Sequence, residues 1–203
     1  MNAPLHDLHV SNLLTYGSLA AAITAVAASV GTPNVAIAGC ALAIAAIADA
    51  FDGRFARTFR RTPRQARIGH ELDSLVDAVT FGLAPVVVVG SRFVTSGPAA
   101  GLSWLAAGCY ALAVVTRLAF YNVQEEESRF VGIPTPAAGL LCCTSLLIPT
   151  PAAAAAWPLA VAAALMVAPL PIPRPGARGL SLFAAWAASL AIAFATRIPG
   201  SGL

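Results

Sequence analysis

The chain has 203 residues, of which 58% are hydrophobic and only 10% charged, with twelve basic residues against nine acidic ones. A soluble domain carries about 25% charged residues, so this composition excludes a soluble globular domain, and it equally excludes a disordered chain. All twelve basic residues are arginine, and a net charge of +3 is too small and too local to indicate a nucleic-acid partner.

The charges are unevenly placed. None lies between Asp7 and Asp49, a gap of 41 residues, and none from Phe130 to Pro173, a run of 44 residues. A helix needs roughly 20 apolar residues to cross a hydrocarbon core of about 30 Å, so each long run has room for two spans. The runs 93–116 and 179–196 have room for one each. These runs are apolar throughout, without the alternation of a β-barrel strand. The fold class expected is all-α: a polytopic transmembrane helical bundle of about seven spans, with six to eight as the range.

In chain order the spans are expected near 11–30, 34–57, 70–90, 98–121, 134–148, 152–169 and 180–197. Turn residues separate them: Gly31-Thr32-Pro33, Gly97-Pro98, Pro149-Thr150-Pro151 and the stretch Pro169 to Gly179. The fifth span is short, and the sixth opens on five consecutive alanines, Ala152–Ala156, which suit close helix packing in lipid. The N-terminal MNAPLHDLHV lacks the basic residues that open a cleaved signal peptide, so the first apolar run is expected to be retained. Cys40, Cys109, Cys142 and Cys143 all fall in apolar stretches and are expected to be small buried hydrophobes. The chain is expected to be a single integral membrane domain over 1–203.

Arginine placement orients the bundle. Arg54, Arg57, Arg60, Arg61, Arg64, Arg67, Arg117, Arg129, Arg174 and Arg178 fall at one end under a seven-span count, and only Arg92 and Arg197 at the other. The end with ten is expected to face the cytoplasm. The run Glu125-Glu126-Glu127 there is expected to be a solvated loop.

Nearly all the chemistry sits between residues 49 and 77. Asp49 and Asp52 are three apart near the end of the second span, and Asp73 and Asp77 four apart near the start of the third. On helices both spacings put the pair on one face, and a short connection brings the two faces together. Four carboxylates so placed repel one another and resist desolvation. Either divalent cations or the neighbouring arginines could neutralise them. An all-oxygen set suits a hard cation such as Mg²⁺, Mn²⁺ or Ca²⁺. Each aspartate has another aspartate, not an arginine, one turn away, which favours metal over a salt-bridged hairpin.

Arg57 stands beside the carboxylates, where it could hold a phosphate bidentately. Gly53 and Gly69 remove side-chain bulk where a ligand could approach the backbone. Arg60, Arg61, Arg64 and Arg67 are expected to face lipid headgroups. His6, His9 and His70 have no ligand spacing. Carboxylate-held metals next to arginine suit phosphoryl transfer, so the residues suggest a membrane enzyme acting on a phosphate or diphosphate at headgroup level. The rival classes are a membrane cation transporter and a helical scaffold.

The run Asp49-x2-Asp52-Gly53-x2-Ala56-Arg57, eleven residues, then Gly69-x3-Asp73-x3-Asp77 resembles the motif of the CDP-alcohol phosphotransferases. Four further segments resemble one branch, the CDP-diacylglycerol–serine O-phosphatidyltransferases. They are Ser11-Asn12-Leu-Leu-Thr15, Glu71 through Pro85, Arg117-Leu-Ala-Phe-Tyr-Asn122 and Gly132-Ile-Pro134-Thr-Pro136-Ala-Ala. Phe120 and Tyr121 stand where that branch often has Arg-Phe.

The resemblance implies that Asp49, Asp52, Asp73 and Asp77 hold two divalent metals, Mg²⁺ or Mn²⁺, and that Asp77 is also the general base. It implies that Asn12, Thr15, Gly53, Ala56, Arg57 and Gly69 bind the CDP part of the donor. Arg117 and Asn122 are expected to bind the acceptor. The implied reaction transfers a phosphatidyl group from CDP-diacylglycerol to L-serine, releasing CMP, in a homodimer of the cell membrane with its active site on the cytoplasmic side. Glycerol phosphate, an inositol phosphate and choline are the alternative acceptors.

Overall fold

A computed structural model describes residues 8–93, 96–123, 129–173 and 176–198. Arg174 and the Glu125–Glu127 run lie outside the described residues. A short turn, Val10–Asn12, leads into α1 (Leu13–Ala27). There follow α2 (Val35–Ala56), α3 (Pro63–Gly90), α4 (Pro98–Val123), α5 (Thr135–Ser145), α6 (Trp157–Val167) and α7 (Ala177–Ala195). Two three-residue strands, β1 (Arg129–Val131) and β2 (Pro171–Pro173), pair antiparallel with Phe130 opposite Ile172.

Among the described residues there are seven helices, one overlapping each of the seven expected stretches, and together they make a polytopic helical membrane protein. Among the described residues five stretches are long and apolar enough to cross a bilayer: Val10–Ala27, α2, α3, α4 and α7. The helices α5 and α6 have 11 residues each, about 16 Å at 1.5 Å per residue, well short of a full crossing. The alanine run does not open α6. Ala152–Ala154 form a separate 3₁₀ turn, and the helix begins at Trp157. Pro158 is the reason, because its ring would clash with the carbonyl four residues back, at Ala154.

The third helix begins seven residues earlier than expected. Thr62 accepts from the Gln65 amide at 3.2 Å, and the Gln65 side chain accepts from the Thr62 amide at 3.0 Å. That capping box, with Pro63 in the first turn, starts the helix at Pro63. Arg64 and Arg67 therefore sit on the first turns of α3, and the true connection from α2 is only residues 57–62.

α2 lies inside the bundle against α1, α5 and α7, and its contact face is almost wholly alanine and glycine. A Cβ on Gly39 would come within 2.5 Å of the Phe194 ring, so this glycine sets how closely α2 and α7 approach. Cys142 and Cys143 are buried and Cys40 half-buried, as expected, but Cys109 is exposed on the outer face of α4.

α3 is not uniformly α-helical. Between Ala78 and Leu83 it relaxes to a π-helical segment. Pro85 explains the irregularity: it donates no hydrogen bond and pushes away the carbonyl of Phe81. The freed Phe81 oxygen accepts the hydroxyl of fully buried Tyr110 from α4. The Phe81 ring packs over Gly139 of α5, where a Cβ would lie 2.8 Å away. One residue thus ties α3, α4 and α5 together.

The connections α2–α3, α4–α5 and α6–α7 lie at one end, the last two joined by the β1–β2 ribbon. At the opposite end Arg92 donates to the carbonyls of Ser145 and Ile148 at 3.5 and 3.3 Å, joining α3 to α5. Tyr110→Phe should strand the Phe81 carbonyl in an apolar core. A loss of about 1–2 kcal/mol is expected, read as a lowered thermal midpoint in detergent.

Candidate active site

Asp49 and Asp52 occupy the last two turns of α2, and Asp73 and Asp77 the turns of α3 just before its π-helical segment. Ligand oxygens of Asp49, Asp52 and Asp73 all lie within 4.8 Å of one another. The fourth, Asp77, faces Asp49, and Asp73 faces Asp52, so the carboxylates meet in pairs across the two helices. Oδ1 of Asp77 is buried and has no hydrogen-bond partner. Ionised carboxylates at these separations need cations among them. An all-oxygen array with one orphaned buried oxygen suits a hard divalent metal. The expected ligands are thus brought together, three of them in one compact group.

α1 closes the array from the side. Thr15 Oγ1 donates to Asp52 Oδ2 at 3.0 Å, and Ser11 Oγ donates to Asn12 Oδ1 at 3.2 Å. Nδ2 of Asn12 is buried without a partner. It stands at a cavity of about 190 Å³ that reaches from the start of α1 to Asp52 and Asp73. Five of the six expected donor-binding residues line this cavity: Asn12, Thr15, Gly53, Ala56 and Gly69. A Cβ on Gly69 would lie 3.1 Å from Asn12 Oδ1 and 3.5 Å from an Arg61 nitrogen, so the glycine lets α3 approach α1 here.

The sixth, Arg57, is exposed, with its Nε donating to the Gly53 carbonyl at 3.0 Å. The arginine that lines the cavity is Arg61, together with His70 and Ser11. Sequence reasoning assigned Arg61 to the headgroup-facing patch. No periodicity could have singled it out, because it lies in the short non-helical connection.

The two expected acceptor residues sit on the last turns of α4. Asn122 Oδ1 accepts from Ser74 Oγ at 2.9 Å, which ties α4 to the turn of α3 between Asp73 and Asp77. Arg117 is buried, and one of its terminal nitrogens donates to the carbonyls of Val131 and Met166. Its guanidinium carbon lies 4.6 Å from the Tyr121 ring centre. Arg117 lines a separate cavity of about 210 Å³ that shares no residue with the carboxylate cavity.

An acidic array at the ends of two membrane helices thus lies beside a polar cavity under a third. The model of the CDP-alcohol phosphatidyltransferase family matches residues 8–194, and the chain belongs to this family. It is 37% identical over 133 residues to the CDP-diacylglycerol–serine O-phosphatidyltransferase of Mycobacterium tuberculosis, covering 61% of this chain and 44% of that protein. The enzyme of the same name from Mycobacterium leprae is 40% identical over 113 residues, 52% of this chain and 35% of the relative. That of Bacillus subtilis is 36% identical over 93 residues, 45% of this chain and 50% of the relative. The matched regions thus span half or less of each relative's length.

Thr15 supports the carboxylate array from the side by holding Asp52. Thr15→Val should weaken Mn²⁺ binding by about 10–100-fold, measured by electron paramagnetic resonance on the purified protein.

Proposed function

We propose that the protein transfers a phosphatidyl group from CDP-diacylglycerol to the hydroxyl of L-serine, releasing CMP and leaving phosphatidylserine in the bilayer. The observation that carries this reading is the meeting of the four motif aspartates beside a cavity lined by Asn12, Thr15, Gly53, Ala56 and Gly69. Similarity to three serine-transferring relatives supports serine over glycerol phosphate, inositol phosphate or choline.

Asp49, Asp52, Asp73 and Asp77 would hold two Mg²⁺ or Mn²⁺ ions, which when bound neutralise the diphosphate of the donor. The nucleotide half of the donor lies in the cavity under α1, with Asn12 Nδ2 and Arg61 as its buried and half-buried donors. Arg57 reaches the donor phosphate from the last turn of α2 by leaving the Gly53 carbonyl. Asp77 accepts the proton of the serine hydroxyl, whose oxygen attacks the lipid-side phosphorus. The bond from that phosphorus to the bridging oxygen breaks, and CMP leaves with the electron pair. The carboxylates lie at helix ends, which suits chemistry on headgroups more than an ion path through the bilayer. Asn122 lies on the acceptor side, next to Ser74 and the two α3 aspartates.

Further proposals concern the setting. The short helices α5 and α6 complete their crossings with the extended segments next to them, giving seven spans. The arginine-rich end faces the cytoplasm. The chain works as a homodimer; Gly101 and Gly108 open onto the outer face of α4 and leave room for a second backbone.

In proteoliposomes, CMP release should require CDP-diacylglycerol, serine and Mg²⁺ or Mn²⁺, and should stop on chelation. Full turnover in a metal-free preparation would refute the metal-held mechanism. Asp77→Asn keeps size but loses basicity, so kcat should fall by about 10²–10⁴-fold, with donor binding partly retained. A cysteine at position 62, in a chain lacking the four native cysteines, should resist an impermeant thiol reagent in intact cells. Labelling from outside would reverse the orientation.

A further inference from the structure

The carboxylate array is approached by two cavities. Besides the one under α1, a second of about 270 Å³ reaches Asp49 from the other side, between Pro134 at the start of α5, Ile172 of β2, and Leu180 and Phe183 of α7. The two share no lining residue: the first meets Asp52 and Asp73, the second Asp49. The β1–β2 ribbon therefore contributes Ile172 to the wall of the second cavity.

This ribbon cannot hold its own position. It has three residues per strand, and two of the three in β2, Pro171 and Pro173, have no amide hydrogen to give. A two-stranded ribbon is marginal even with a full ladder. Backbone bonds from Gly132 to the Leu170 carbonyl and from Ile133 to the Leu165 carbonyl continue it, at 2.9 and 3.1 Å, and the side chains that hold it come from the last turns of α4. Arg117 donates to the Val131 carbonyl of β1 and, at 3.3 Å, to the Met166 carbonyl in the last turn of α6. That helix terminus carries partial negative charge and suits a guanidinium.

The Tyr121 hydroxyl accepts from the Val131 amide at 2.6 Å and lies 3.1 Å from the Val131 carbonyl. Beside it Gly132, at φ +70°, passes so close to α6 that a Cβ would fall 2.1 Å from the Met166 oxygen. Burying an arginine charge in a membrane helix is expensive, and here the guanidinium is met by the ribbon, the end of α6 and Tyr121.

We infer that Arg117 and Tyr121 are positioning residues: they latch the β1–β2 ribbon as the wall of the Asp49-side cavity, and Arg117 acts on phosphatidyl transfer through that wall without touching the acceptor. The inference rests on the proposed transferase reaction for its kinetic readout. The latch itself has a readout independent of any substrate.

Val131 and Pro171 are opposite one another in the ribbon, at a separation within reach of a disulfide. The substrate-free experiment compares how fast cysteines at 131 and 171 oxidise in the otherwise natural chain and with Arg117→Ala added. Slower oxidation in the latter is expected, and equal rates would overturn the latch. The kinetic experiment follows CMP release in nanodiscs with CDP-diacylglycerol, serine and Mn²⁺. Arg117→Ala should lower kcat/KM by up to about 100-fold, the scale of a 1 Å misplacement. Tyr121→Phe should lower it less, and the double variant should fall no further than Arg117→Ala alone. Oxidising the 131–171 cysteine pair should restore much of the activity lost in Arg117→Ala, while Mn²⁺ binding stays unchanged throughout.

If Arg117→Ala raises only the serine KM, Tyr121→Phe is unaffected and the cross-link restores nothing, then Arg117 binds the acceptor directly and the inference fails. Activity unchanged in Arg117→Ala would also overturn it. Should Arg117→Ala not fold, Tyr121→Phe removes a single oxygen and carries the same comparison. A wild-type protein that releases no CMP with serine would sink the proposed reaction, and the oxidation rates would still decide the latch.

Discussion

Like charges repel and resist leaving water, yet this fold gathers four carboxylates where two helices reach the edge of an apolar bundle. Nothing intrinsic to α2 or α3 favours that meeting. It is imposed by the packing of apolar surface elsewhere, on an alanine-rich α2 held against α1, α5 and α7. The bundle in effect stores an unfavourable electrostatic arrangement that a bound divalent cation relieves. A site built this way suits a hard divalent cation. The same repulsion explains why Thr15 and the orphaned oxygen of Asp77 matter, since each remaining polar atom in such a place is costly to leave unpaired.

Holding the array also requires that α3 not rotate. A helix of 28 residues with its first turns among arginines and its last among valines could turn about its axis at little expense. Two features prevent this. Asn122 grips Ser74 within the acidic stretch, and just beyond it the π-helical segment locks onto α4 and α5 through Phe81. The irregular segment follows directly on Asp77, so the tie through Phe81 lies about one turn beyond the last carboxylate. The end of α4 therefore has two tasks, with Asn122 holding α3 and Arg117 holding the ribbon.

The membrane class, the number of helices and the four aspartates could be read from the amino-acid sequence, because each depends on short-range pattern. Uncharged runs report hydrocarbon length, and i, i+3 and i, i+4 spacings report helix faces. The capping box at Thr62 and Gln65 was equally local and would have placed the start of α3 correctly. Pro158 likewise predicts that α6 cannot take in the alanine run. The five cavity residues Asn12, Thr15, Gly53, Ala56 and Gly69 came through the resemblance, since no spacing relates residue 12 to residue 69.

Only tertiary structure could decide which arginine belongs to what. Arg57 and Arg61 are chemically identical and four residues apart, but Arg61 faces the cavity and Arg57 the outside, because the connection between α2 and α3 is not a helix. Arg117, an obvious candidate for an anionic group, has its partners in β1 and at the end of α6, 14 and 49 residues away. Sequence determines what a side chain can offer: a charge, a set of donors, a place on a helix face. Which carbonyl or carboxylate takes up that offer depends on how distant apolar surfaces pack, and the residues concerned carry no local trace of it.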